Sequence, residues 1–295
     1  YEYAPEKRKG FFGSIPQAGV TIGMLMATFI VSLMTLFSEE DFLSWGWRIP
    51  FLLSSVLVLL GLWIRKDIDE TPDFQKVKAS GQVAKAPLRD TLKHHWREVL
   101  IAAGLKVVET APFYIFSTFV VSYATSTLTY QKSQALEAVT LGALVATIMI
   151  PLMGLLSDKV GRQRMYAISV FVLGLFIVPW FMLLNTGTTW GIVLATVIAF
   201  GVLWAPVTAV LGTLCSEIFS ANVRYTGITL GYQLGAALAG GTAPLIATGL
   251  LAKYDGDWVP VAWYLAVTVT ISLIAIFCAS RVKRATLIQA QPERL

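Results

Sequence analysis

Residues Gly154–Met165, GLLSDKVGRQRM, form a short charged turn between two long apolar runs. The runs on either side, about 133–157 and 164–185, are each long enough to cross a membrane as a helix, which takes roughly 20 mainly apolar residues. A link this short forces the chain to reverse, so the two runs make an antiparallel helical hairpin. Its charges are mostly basic: Lys159, Arg162 and Arg164 against the lone carboxylate of Asp158. Basic turns between spans stay on the cytoplasmic side of a membrane. This one stretch therefore predicts both a helical membrane protein and its orientation.

The rest of the chain extends the pattern. Six further apolar runs lie at about 14–37, 49–65, 98–126, 189–214, 225–251 and 258–281. All eight are uniformly apolar, whereas barrel strands alternate in polarity over short segments. Hydrophobic residues make up 56% of the 295, charged residues only 14%, and the mean hydropathy is +0.67. Soluble domains carry about 25% charged residues. The class is an all-α polytopic membrane protein with about eight transmembrane helices.

Loop charges agree with the hairpin. If 1–13 lies on the side of Asp158, so do 66–97, 158–164, 215–224 and 282–295. Of the 23 Lys and Arg, all but Arg48, Lys132, Lys253 and Lys106 then fall on or beside that side. Both ends of the chain are expected to be cytoplasmic. The net charge of +5 is thus a topology signal, and no nucleic-acid partner is expected. Cys215 and Cys278 sit apart with no motif spacing, so neither a disulfide framework nor a metal site is expected. His94 and His95 read as interfacial side chains without an obvious carboxylate partner.

Four domains are expected: 1–65 with two spans, a linker 66–97, a six-span unit 98–284, and a tail 285–295. In the linker, Thr71 and Pro72 read as a helix start. PLRDTLKHHW places Leu88, Leu92 and Trp96 on one face of a surface helix. An internal repeat connects the two units. EYAPEKRKGFFGSIPQAG echoes EIFSANVRYTGITLGYQLG, pairing Arg8 with Arg224, Gln17 with Gln233 and Gly19 with Gly235 at one constant separation, and Glu2 with Glu217 one residue out of step.

The spacing G-x-x-x-D-x-x-G-R, carried by Gly154, Asp158, Gly161 and Arg162, resembles the cytoplasmic signature of the major facilitator superfamily. EYAPEKRKGFFGS, WGWRIPFLLSS and SEIFSANVRYTGITLGYQLG are similar to its metabolite–proton symporter branch, which carries citrate, 2-oxoglutarate, shikimate, and proline or betaine. The resemblance implies a fold of twelve helices in two six-helix bundles, of which this sequence supplies helices five to twelve. It is N-terminally incomplete on that reading. The resemblance also implies a bacterial inner-membrane carrier, acting as a monomer, with a small metabolite and a proton as partners and no cofactor beyond the proton gradient. A cytoplasmic charge network is implied too. Asp158 would face the start of the span near Tyr225, Arg162 would pair with Glu217, and Arg164, Arg224, Arg8 and Glu2 would complete it.

Charges deep in a span cost about 2.5–3.5 kcal/mol each on insertion scales. One span, IAAGLKVVETAPFYIFSTFVVSY, carries two: Lys106 and Glu109, three positions apart and on one helical face. Lys106 would attract a substrate carboxylate. Glu109 would exchange a proton, its charged form disfavoured by burial and favoured by Lys106. Tyr114, Gln17 and Gln233 are candidate ligands beside them, with Tyr232 and Trp204 as candidate lining. A self-neutralising structural pair is the alternative. Gly19 with Gly23, and Gly231 with Gly235, read as close-packing pairs inside one bundle. Two other readings stay open for the whole: a transport-inactive remnant of such a carrier, and an intramembrane enzyme, for which no nucleophile–base set is present.

Overall fold

The computed structural model describes residues 3–34, 39–66, 75, 78–79, 87–220 and 223–289. Glu2, the expected helix start at Thr71 and Pro72, and most of the 66–97 linker lie outside the described residues. We label the helices α1 (Lys9–Met34), α2 (Glu39–Ser44), α3 (Ile49–Lys66), α4 (Pro87–His94), α5 (Trp96–Ser126), α6 (Lys132–Val160), α7 (Arg162–Leu184), α8 (Thr189–Ile218), α9 (Arg224–Lys253) and α10 (Val259–Gln289). Among the described residues 8 helices are long and apolar enough to cross a membrane, and there is no strand. The protein is an all-α, multi-pass membrane protein. Several helices outrun the apolar signal: α1 begins at Lys9 and α8 continues to Ile218, because polar ends extend a helix without extending its hydropathy.

In hydrocarbon, apolar side chains gain little from leaving lipid, so helix association rests on close packing and interhelical hydrogen bonds. The helices divide accordingly. In α5 and α8, 67% of the apolar window is buried; in α3 none is. α5 and α8 form the centre. α6, α7, α9 and α10 pack around them, and α1 lies along α6 and α8. α1 buries Gly10, Ser14, Ala18 and Thr21, a stripe of small residues in its first half, while Ile22, Met26 and Phe29 beyond it are exposed.

That stripe lets two backbones nearly touch. A methyl on Gly154 of α6 would stand 2.7 Å from the Ser14 Cβ and 2.8 Å from the Gly10 carbonyl. Further along, the Thr147 hydroxyl donates to that of Thr21 at 2.7 Å. At the hairpin itself, Gly161 has φ +92°, a conformation that L side chains rarely adopt, and it turns α6 directly into α7. Where α5 meets α6, the Tyr130 hydroxyl donates to the Leu184 and Thr188 carbonyls, at 2.8 and 3.2 Å. Burial raises that phenol above its ordinary pKa.

Three helices, the central two and α9, are irregular. Each holds one π-helical turn: Ile115–Phe119 in α5, Val197–Leu203 in α8 and Ala236–Gly240 in α9. Such turns occur often at functional sites. Pro112 and Pro206 lie close to the first two and remove backbone donors there. The surface helix α4 ends at His94, and the backbone breaks at His95, so Trp96 belongs to α5 and not to the amphipathic helix expected from its spacing. Leu88 and Leu92 are exposed on α4 while Thr91 is buried. His95 has a carboxylate partner after all, Glu98, at 3.6 Å.

Candidate functional site

The first candidate site is the buried charge pair on α5. Lys106 Nζ lies 2.5 Å from Glu109 Oε2, one helical turn apart. Glu109 is 7% exposed. Its carboxylate is held by more than the lysine: the Thr208 hydroxyl of α8 donates to Oε1 at 3.0 Å. The Thr110 hydroxyl lies 3.0 Å from both Oε2 and the Lys106 carbonyl, and its single proton serves one or the other. A buried charge persists only when paired and hydrogen-bonded, and this one has both forms of support.

The turn carrying the pair is gripped by its neighbours through its backbone. Ser272 of α10 donates to the Gly104 carbonyl at 2.6 Å and accepts from the Val108 amide at 3.1 Å. The Tyr166 hydroxyl of α7 donates to the Leu105 carbonyl at 2.5 Å, and Trp204 Nε1 of α8 to the Glu109 carbonyl at 2.7 Å. Three helices thereby fix the height and rotation of one turn of α5.

Around the lysine the expected ligands are redistributed. Lys106 Nζ sits 4.7 Å from the ring centre of Tyr232, a cation–π contact. A methyl on Gly235 would stand 2.7 Å from the Lys106 Cβ, so α9 lies directly against that side chain. Gln17 of α1 lies next to Gly212 of α8, as does the Tyr232 hydroxyl. Two expected ligands lie away from the pair. Tyr114, five residues along the helix from Glu109, is 38% exposed and touches Gly240. Gln233 is exposed, with no hydrogen bond among the described residues; its neighbour Tyr232 takes the inward position. Gly231 and Gly235 do pack closely, against Val99 and Ala103 of α5, whereas Gly19 and Gly23 have nothing within 4 Å of an added methyl.

The second candidate site is the hairpin. Asp158 accepts from the backbone amides of Gly10 at 2.7 Å and Phe11 at 3.1 Å. It therefore caps the start of α1, not the span near Tyr225 as expected from sequence. The glycine contact between α1 and α6 is what brings those amides within reach. Two free amides and the helix dipole both favour a carboxylate there. Arg162 bonds Asp158 Oδ1 at 3.2 Å and pairs with Glu217 at the end of α8. Three segments are thus tied at one point: α1, the α6–α7 turn, and α8. Arg164 is exposed and lines a cavity of about 250 Å³ with Arg162 and Glu217. Arg224 donates to the Phe219 carbonyl at 3.4 Å, and Arg8 is exposed with no ion pair among the described residues. Among the described residues no group of His, Cys, Asp and Glu could hold a metal ion.

The sequence model of the Major Facilitator Superfamily matches residues 1–240 and 113–294. The chain belongs to the major facilitator superfamily. Similar members include the shikimate transporter of Escherichia coli (strain K12), 32% identical over 96% of this chain and 66% of that protein. An inner membrane metabolite transport protein of the same strain is 31% identical over 97% and 66%. The proline/betaine transporter of Salmonella typhimurium is 30% identical over 92% and 56%. The chain thus spans just under two thirds, or less, of the length of these major facilitator proteins. They are transporters and not enzymes, which removes the intramembrane-enzyme reading. The residues that sequence reasoning missed in this major facilitator chain are Thr208, Thr110, Ser272 and Tyr166. Each is an ordinary hydroxyl in its own segment, and only the neighbouring helix gives it a role.

Proposed function

We propose that this chain forms the working core of a proton-coupled symporter of small carboxylated metabolites in the bacterial inner membrane, with the Asp158 hairpin on the cytoplasmic side. The observation that carries the reading is the Lys106–Glu109 pair, 2.5 Å apart in one of the two most buried spans. Ionisable groups at such depth are functional candidates by default. Glu109 is the proposed proton carrier and Lys106 the proposed partner of a substrate carboxylate. Binding the substrate at Lys106 would free Glu109 from its ion pair and allow it to take a proton. That exchange couples the two ligands without any further group. The names of the relatives support a substrate of this kind, since shikimate, proline and betaine each carry a carboxylate.

The hairpin cluster is the proposed gate. Asp158, Arg162 and Glu217 hold α1 to α6 and α8 at the same end where Gly10 and Gly154 meet. Parting these contacts and closing others is the rocking by which one repeat moves against another around a midplane site.

The deciding experiment is uptake of radiolabelled shikimate, proline and glycine betaine into proteoliposomes, with Glu109→Gln as the variant. Proton-driven accumulation should fall at least tenfold in Glu109→Gln, while substrate exchange with no gradient should persist. Accumulation that stayed proton-driven in that variant would remove Glu109 from the coupling role.

A further inference from the structure

An exposed apolar row runs along α4 into α5. Leu88 and Leu92 of α4, and Trp96 and Leu100 of α5, recur every four residues, and all four are exposed. α4 lies against α5 and α9 and buries Thr91, which leaves the row on the outside. Beside it stand Arg89, Lys93 and Arg97, also four apart and exposed, with no ion pair among the described residues. Glu98, next to Arg97, lies 3.6 Å from His95 instead. The Arg97 guanidinium sits over the Trp96 ring, 5.4 Å from its centre. Unpaired basic groups beside a tryptophan at the start of a span fit the level of lipid headgroups, and such basic groups attract anionic ones.

Deeper in the molecule, a crevice of about 340 Å³ opens where α5, α9 and α10 meet. Ala103, Gly104 and Val107 line it from α5, Leu238 from α9, and Val267 and Ile271 from α10. At 3.6 residues per turn, the three α5 positions fall within about 60° of Leu100, as do Trp96 and Arg97. The crevice therefore continues the exposed row, and its α5 wall lies roughly 9–15 Å along the helix axis from Arg97. Leu238, Val267 and Ile271 are exposed at its rim. Its polar side chains are already satisfied. The Tyr264 hydroxyl donates to the Ala239 carbonyl at 3.3 Å, and the Thr268 hydroxyl to the Leu265 carbonyl at 2.7 Å. Such a lining offers a polar metabolite nothing to bond and suits a hydrocarbon chain.

We propose that the basic row and the crevice together bind one anionic phospholipid. Lys93 and Arg97 would hold its phosphate, and one acyl chain would fill the crevice below. The proposal needs the spans to lie in a bilayer and does not depend on the carrier reading. The crevice is also lined by Gly235, where an added methyl would stand 2.7 Å from the Lys106 Cβ. A bound acyl chain would thus reach the contact between α9 and the turn that carries the charge pair.

The test is native mass spectrometry of the protein as the cell makes it, with phosphatidylglycerol or phosphatidylcholine added in detergent. The parent should retain one phosphatidylglycerol in preference to phosphatidylcholine. Lys93→Gln and Arg97→Gln should each lower that retention about fivefold. Val267→Trp and Leu238→Trp narrow the crevice from two different helices, at exposed positions where folding tolerates them, and each should lower it as well. Lys253→Gln, which removes a charge elsewhere, and Ile168→Trp, on the exposed face of α7, should leave it unchanged. Equal retention of the two lipids by the parent overturns the proposal. So does a loss confined to the charge variants, which would leave only general attraction to a basic surface.

Discussion

Glu109 shows how a residue's role is set by its neighbours. Its pairing with Lys106 was legible because both charges stand in one apolar run at helical spacing. The Thr208 hydroxyl that completes the site was not legible, since threonine in a span normally bonds its own backbone and carries no charge to mark it. Replacing it tests its share. Thr208→Val keeps the shape and removes one donor from a charged carboxylate, a bond worth about 1.5–3 kcal/mol. Proton-driven uptake should drop roughly tenfold, with unchanged abundance in the membrane. Tyr114 shows the same dependence from the other direction. It belongs to the same run as the charge pair, but its angular position around α5 carries it to Gly240 instead. Counting along a span finds candidate residues; only the rotation of the helix selects among them.

At the level of elements, the α6–α7 hairpin was the most legible part of the molecule, because glycine, aspartate and arginine each have a positional reason to be there. The partner of its aspartate was not legible. Two helix starts, at Lys9 and at Arg224, present similar free amides, and the internal repeat makes their sequences alike. Contact geometry decides: Gly10 and Gly154 admit α1 to α6 at backbone distance, which sets the Gly10 and Phe11 amides on Asp158. Asp158→Ala should remove the cap at a cost of about 0.5–2 kcal/mol and lower thermal stability in detergent. Gly161→Ala forces a side chain into a conformation costing about 1–3 kcal/mol. It should reduce folded yield more than Gly19→Ala, measured by fluorescence-detected size exclusion.

For the molecule as a whole, the helix count and class follow from hydropathy. The distribution of contacts does not. α1 buries its small-residue stripe, Gly10, Ser14, Ala18 and Thr21, in its first half, while most of the large side chains of its second half, Ile22, Met26, Phe29, Val31 and Leu33 among them, are exposed and Met34 alone there is buried. A grip concentrated toward one end suits alternating access, since the other end is then freer to open. Cysteines at Thr21 and Thr147, whose hydroxyls are 2.7 Å apart, should form a disulfide on mild oxidation. Transport should stop when it forms and return on reduction. Uptake that continued with the bond in place would show that these two helices never part during the cycle.

The cap on α1 has one more consequence. Amides in the first turn of a helix ordinarily exchange with deuterium almost at once, because no carbonyl precedes them. Those of Gly10 and Phe11 are bound to Asp158. Their deuterium uptake therefore keeps time for the protein. Exchange there requires α1 to part from the hairpin, so added substrate will speed or slow that clock according to which face of the membrane it favours.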